Sequence, residues 1–335
     1  MATLGAGVLT LSDWAKRLDP GGNGKISKIV ELLGQSNEIL DDMMFKEGNL
    51  PTGHRVSVRT GLPTVAWRLL NQGVAVSKST TAQIDEACGL LEAWSEVDKD
   101  LAMLNGNTAE FRLSEASAFI EAMNQEMAQT LFYGNSSTAP EEITGLAARY
   151  SSLSAANGQN IVSGGGTGSD NSSIYLVCWG ENTVHGIFPK GSQAGLIHED
   201  HGEVTIETTS GVAGSRMRAY QDQWQWKCGI ALKDWRYVVR IPNIDISNLV
   251  GKSSAADLLD LMIKATHRIP NLGMGKCAFY MNRSVMQMLD IQRRDDVIAG
   301  GGLVYDNVDG KPQYAFRGIP VRKCDQLTET EAQVT

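Results

Sequence analysis

Apolar residues recur at helical spacing through residues 114–135, at Phe119, Ile120, Met123, Met127, Leu131 and Phe132. Steps of three and four put these side chains on one face of an α-helix. The other face carries Glu121, Asn124, Gln125 and Gln129. Glu115 in the first turn suits the positive end of the helix. Gly134 and Asn135 stand where a left-handed stop is predicted. The pattern therefore predicts a rod over 114–133, roughly 30 Å long. A rod that is apolar on one side needs a sheet or a neighbour to lie against.

Residues 1–44 read as an arm of short helices. Ser12 is a candidate cap, and Ile26, Ile29, Val30 and Leu33, then Ile39, Leu40, Met43 and Met44, repeat at helical spacing. Helices this short do not hold themselves together and need a surface. Residues 45–80 change character. His54 to Arg59 and Thr64 to Leu69 read as two strands around Thr60-Gly61-Leu62-Pro63. Their faces are mixed, with arginines at 55, 59 and 68. A two-stranded hairpin is marginal alone, so this one reads as a projection that lies on something else, with Gly48, Gly53 and Gly73 as hinges. From Thr81 to Asn105, the spacing of Ile84, Cys88, Leu91, Trp94 and Leu101 predicts a second helix, interrupted at Gly89.

Residues 145–173 are rich in Gly, Ser and Asn and predict a surface loop. Short strands follow at Ile174–Trp179 and His185–Phe188. Over Tyr220–Leu232 an apolar face (Tyr220, Trp224, Trp226, Cys228, Ile230, Leu232) alternates with Gln221, Gln223, Gln225 and Lys227, which predicts a half-buried strand. A second strand over Trp235–Ile241 is next. Ser253 or Ser254 is the expected cap of a helix carrying Leu258, Leu259, Leu261, Met262 and Ala265. Cys277–Met281 reads as a buried strand leading into a helix with Val285, Met288 and Leu289. Strands on either side of Asp309-Gly310 and at Arg317–Val321 end the chain.

The 335 residues suffice for one large domain or two ordinary ones. A net charge of -8 argues against a dedicated nucleic-acid binder. The five cysteines contain no CxxC pair, so free thiols in a reducing compartment are expected. No basic lead precedes an apolar run at the N-terminus, Ala2 stands where myristoylation requires glycine, and no apolar run is long enough to cross a bilayer.

Candidate chemistry is thin. Pro20 to Ile26 lacks the first glycine and the final Ser/Thr of a phosphate-binding loop, and lacks two carboxylates of a calcium loop; a bend between helices is the simpler reading. His198-Glu199-Asp200-His201 does not have the spacing of a zinc helix and reads as a polar loop between Gly195 and Gly202. The glycine clusters at 164–168 and 300–302 have no strand–loop–helix frame. No Gly-x-Ser-x-Gly elbow is present. Trp224, Trp226 and the methionines of the rod read as packing. No residue is therefore assigned a catalytic, cofactor-binding or metal-binding role.

Two blocks point to a family. Glu110-Phe111-Arg112 leads into the rod, which ends Leu131-Phe132-Tyr133-Gly134-Asn135. Trp226-Lys227-Cys228-Gly229-Ile230 is followed by Asp234-Trp235-Arg236-Tyr237-Val238-Val239-Arg240-Ile241-Pro242-Asn243-Ile244. Both resemble the major capsid proteins of tailed bacteriophages, those of short-tailed phages in particular, over most of residues 45–325. The resemblance implies an α+β chain of the Hong Kong 97-like fold, with an N-terminal arm at 1–44 and an extended loop at 45–80. It implies a peripheral domain at 81–145 and 301–335 with spine helix 114–133, and an axial domain at 146–300. It further implies pentamers and hexamers closing into an icosahedral head around double-stranded DNA, with scaffolding, portal and cement proteins as partners and assembly in the host cytoplasm. Some relatives cross-link a loop lysine. Lys46 and Lys78 flank the hairpin without standing at its tip, so that reaction is not carried over. An encapsulin-like shell around an enzyme, or a metallohydrolase built on His198 and His201, are the alternatives.

Overall fold

The computed structural model describes residues 9, 35–104, 106–207, 214–252, 255–295, 303–308 and 311–335. The Pro20–Ile26 turn, Ser253 and Ser254, the glycines at 300–302, Asp309-Gly310 and nearly all of the arm up to residue 34 lie outside the described residues.

In chain order the elements begin with α1 (Ile39–Asp42), β1 (Phe45–Glu47), β2 (Gly53–Gly61), β3 (Thr80–Ala87) and β4 (Gly89–Asp98). Next come α2 (Lys99–Met103), α3 (Thr108–Tyr133), α4 (Leu146–Arg149), β5 (Asn171–Trp179), β6 (Val184–Phe188), β7 (Leu196–Glu207) and β8 (Arg216–Leu232). The chain continues through β9 (Val238–Asp245), α5 (Ile246–Gly251), α6 (Leu258–Arg268), β10 (Lys276–Met281) and α7 (Arg283–Asp295). It ends with β11 (Leu303–Val308), β12 (Lys311–Phe316) and β13 (Ile319–Lys323).

The chain divides into two compact units. The larger holds residues 37–89, 130–194 and 228–335. Its sheet runs β11-β12-β13-β10-β5-β6, with β9 also pairing β5 and β1 pairing β6 in parallel. Every residue of β5 is buried. A strand covered on both faces reads as a continuous apolar run rather than an alternation, which is why Ile174–Trp179 is legible as a strand without a polar face. Ile174, Leu176 and Cys178 pack with Val239, Ile241, Phe279 and Met281 under Leu258, Met262 and Leu289 of α6 and α7. On the other face Tyr175 meets Phe132, ring centroids 5.1 Å apart. α6 is capped by Asp257, whose carboxylate accepts from the Asp260 amide, rather than by the serines expected upstream.

The smaller unit holds residues 9, 35–36, 90–104, 106–129, 195–207 and 214–227 among those described. In it β7 and β8 form an antiparallel ribbon with β4 beside β8. Most of α3 lies here, and Phe119 stacks on Trp224 at 5.0 Å. The rod starts six residues earlier than its apolar spacing predicts, because Asn107 receives the Glu110 amide at 3.3 Å and caps it there. Its end is where expected, but not left-handed. A Cβ at Gly134 would sit 2.4 Å from the Ile143 carbonyl oxygen, so the close return of residues 143–145 demands glycine.

Three other expectations are corrected. The predicted helix over Thr81–Asn105 is β3, β4 and the short α2. The hairpin partner of His54–Arg59 is β3, in register Val56 to Ile84, and not Thr64–Leu69. The His198–His201 segment is strand, part of β7, with a bulge between Asp200 and Gly202.

Candidate assembly interface

The loop is built from the larger unit outward. β2 and β3 pair over eight positions from Gly53–Ala87 to Gly61–Thr80. Gly53 is required by close approach: a Cβ there would fall 2.0 Å from the Glu86 carbonyl oxygen. The Asn49 side chain imitates a strand neighbour, receiving the Arg55 amide at 2.7 Å and donating to the Arg55 carbonyl at 2.8 Å. Below, Arg149 of α4 grips Glu86 through two nitrogens at 2.7 and 2.6 Å, with both side chains largely buried. This fork geometry is the strong form of a carboxylate contact.

Beside the base, the His54 ring meets His185 edge-on at 5.9 Å. His185 is fully buried. Burial, followed by the charges of Lys233 and Lys46, pushes its pKa down to about 4. Burial also lowers that of His54. Both imidazoles are thus held neutral at ordinary pH.

Beyond Gly61 the chain has no regular structure until Thr80. Ser77 Oγ donates to the Thr64 carbonyl at 2.8 Å, and the Gln72 amide turns back to Leu69. The tip exposes its apolar residues almost completely: Leu62 at 80%, Trp67 at 104% and Val76 at 101%, with Val65, Leu69 and Leu70 alongside. Contiguous exposed apolar residues of this kind mark a surface that meets a partner.

The chain end is held in the opposite way. Glu331 exchanges backbone hydrogen bonds with Asn171 at the start of β5. Its carboxylate takes Arg240 at 2.8 Å, Tyr133 at 2.5 Å and the Ser173 hydroxyl. Burial, and then this carboxylate, push the Tyr133 phenol up. Arg240 also donates to the Tyr150 carbonyl at 2.8 Å, and Asn243 clips Val334 by two bonds at 2.7 and 2.8 Å. The sequence signal for this clamp was available: Arg240 is a charge inside the otherwise apolar run Val238–Pro242, and such a charge is kept only with a partner.

His198 and His201 do not converge. His198 stacks on Trp224 and bonds Asp222 at 2.9 Å, while His201 stacks on Trp94 and meets Gln223 at 3.2 Å. Arg112 joins Asp222 and Asp200 at 2.7 and 2.6 Å and lowers the pKa of Asp200 by hydrogen bonding. Among the described residues, no group of three or more His, Cys, Asp or Glu is placed to hold a metal ion. Lys46, beside the hairpin, is engaged by Glu181. Trp224 is buried, as packing requires, whereas Trp226 is only partly buried.

A broad mixed sheet, a long helix and a bare apolar loop define a structural protein of the shell-forming class. Residues 21–335 match the family model described as major capsid protein GP7, and the chain belongs to that family. It is similar over its whole length to the chain in the cryo-EM structure of bacteriophage epsilon15, with 30% identity, complete coverage of both chains and a TM-score of 0.77. The bacteriophage JBD30 capsid chain shares the fold at 8% identity, covering 93% of this chain and 99% of that one, TM-score 0.51. The SrpI encapsulin of Synechococcus elongatus PCC 7942 also matches, at 12% identity over 71% of this chain and 97% of that one, TM-score 0.45. A search of curated protein sequences finds no match. The fold is that of the Hong Kong 97-like phage capsids.

Proposed function

We propose that the chain forms the wall of an icosahedral phage head, assembling as pentamers and hexamers around double-stranded DNA. The observation that carries this is the bare loop tip. Each large apolar side chain moved from water into a contact contributes about 1.5–3 kcal/mol. The tip therefore holds on the order of 10 kcal/mol per subunit that a neighbouring copy can realise. Interfaces of obligate assemblies bury roughly 2,000 Å² or more, to which the exposed tip would add its apolar surface.

In this reading residues 45–80 are the loop that reaches across a neighbour, and β3 is the return strand that joins it to the peripheral part. Residues 81–145 and 301–335 are peripheral, with α3 as the spine, and 146–300 surround the capsomer centre. Scaffolding, portal and cement proteins are the partners during assembly in the host cytoplasm. The role is mechanical, and no residue is assigned a catalytic, cofactor or metal part. The acidic total of -8 suits a container that does not grip its DNA.

The test replaces Leu62, Trp67 and Val76 together by serine. The variant is expected to keep the circular dichroism of the parent chain and to form no closed shells in electron micrographs. Normal shells from this variant would remove the loop from the account.

A further inference from the structure

Cys178 of β5 and Cys277 of β10 face each other across an antiparallel pair, in direct register. Their sulfurs are 2.7 Å apart, with Cys277 donating its S–H to Cys178. Facing positions on paired strands bring Cβ atoms close enough for a disulfide, whose Cβ atoms lie about 3.8 Å apart. The two thiols differ in access. Cys178 is fully buried in the sheet core, whereas Cys277 is partly exposed. Cys277 lines a cavity of about 620 Å³ together with Trp179, Leu272, Lys276 and Arg317. The cavity admits a small molecule, and its lining of Lys276, Arg317 and Arg322 against the single carboxylate of Asp42 favours an anionic one. Burial raises the other thiols, Cys88 to about 11 and Cys228 and Cys324 to about 12, and Cys324 is tied to Asn37. Cys277 is raised as well, by its bond to Cys178 and by burial, so the pair is set apart by its facing sulfurs and by the cavity.

We propose that Cys277 is a modification site for an anionic low-molecular-weight disulfide such as oxidised glutathione, and that Cys178 resolves the adduct into a cross-strand disulfide. The pair first loses one proton to solvent, from Cys178, whose thiolate the Cys277 S–H stabilises; the remaining proton then passes from Cys277 to Cys178 and leaves the charge on the exposed sulfur. The Cys277 sulfur attacks one sulfur of the small disulfide; that S–S bond breaks and one glutathione thiolate leaves to take up a proton. Cys178 then gives its proton to solvent and attacks the Cys277 sulfur. The mixed S–S bond breaks and the second glutathione leaves. Two protein thiols are oxidised to one disulfide, and one small disulfide is reduced to two thiols. A reducing cytoplasm keeps the pair open during assembly and an oxidising medium closes it after release. That timing rests on the proposed shell function; the chemistry does not.

The experiment exposes the full chain, unassembled and in shells, to oxidised glutathione, then denatures it in alkylating agent for peptide mass spectrometry. The expected product is a single linked peptide joining Cys178 and Cys277, with the loss of two hydrogens, reversed by dithiothreitol. Cys178→Ala is expected to trap glutathione on Cys277. Should that variant fail to fold, a transient Cys277 adduct in the parent chain serves the same purpose. Bridging closes a loop of roughly 100 residues, so the oxidised chain is expected to melt about 5 °C higher. The proposal is overturned if glutathione stays on Cys277 of the parent chain, if both thiols remain free, or if the same link forms equally fast in denaturant. A link formed in the unassembled chain and absent from shells would overturn the timing alone. Failure to form shells would count against the function and leave the thiol chemistry readable.

Discussion

β5 and the loop tip are both rich in large apolar residues, and their surroundings are opposite. From Asn171 to Trp179 every side chain is buried by the chain's own sheet and helices. From Leu62 to Val76 the apolar side chains stand in water. The strand stabilises the folded chain, and the tip contributes to it almost nothing. Apolar content by itself therefore says that a residue will be buried, but not by which molecule.

The largest effect on the isolated chain is expected inside the sheet. Phe279→Ala removes a fully buried ring that meets Phe316 edge-on at 5.9 Å, and should cost about 3–5 kcal/mol in denaturant unfolding. A loss below 1 kcal/mol would mean that this face collapses freely.

Next is the acid response at the loop's base. His185 takes a proton in the unfolded chain near the ordinary imidazole value of 6.5, but in the fold only near 4. The unfolded state binds more protons through that window, so stability falls as pH falls from 6.5 to 4 and is flat for this group above it. The loss reaches about 3 kcal/mol at the lower end. His185→Phe should flatten the curve of unfolding free energy against pH over that range.

A smaller effect is expected where the loop joins the body. Arg149→Met leaves Glu86 buried without its fork and should cost about 2 kcal/mol. It should also raise amide exchange through β2 and β3 more than through β5. Equal exchange in both would show that the base pair does not anchor the loop. Smallest of all, Trp67→Ser should change the unfolding free energy of the unassembled chain by less than about 0.5 kcal/mol, although the same change is expected to weaken assembly.

The contrast also explains what was legible in the sequence. The helix α3, the alternation of β8 and the buried β5 and β10 announce themselves through local spacing. The loop's pairing does not, because Thr64–Leu69 has strand-like composition while the true partner, Thr80–Ala87, carries Ile84, which with Cys88 just past its end falls at spacing shared with a helix. Two-stranded pairing is decided by contacts distant in sequence, and β4 finds its neighbour β8 more than a hundred residues later. Gly89, which looks like a break in a helix, is where one strand passes into the next. The His198–His201 run looks like a loop because its polar residues are satisfied across the ribbon, by Asp222, Gln223 and Arg112, and not by solvent alone. The exposed loop was legible as a projection, whereas the Glu331 clamp was missed although Arg240 signalled it.

Hydrogen–deuterium exchange of residues 62–79, measured on dispersed subunits and on closed shells, tests the claim that a neighbouring copy covers the tip. Strong protection that appears only in shells, with β5 equally protected in both states, is the predicted result. A tip that exchanges as fast in shells as in free subunits would contradict it.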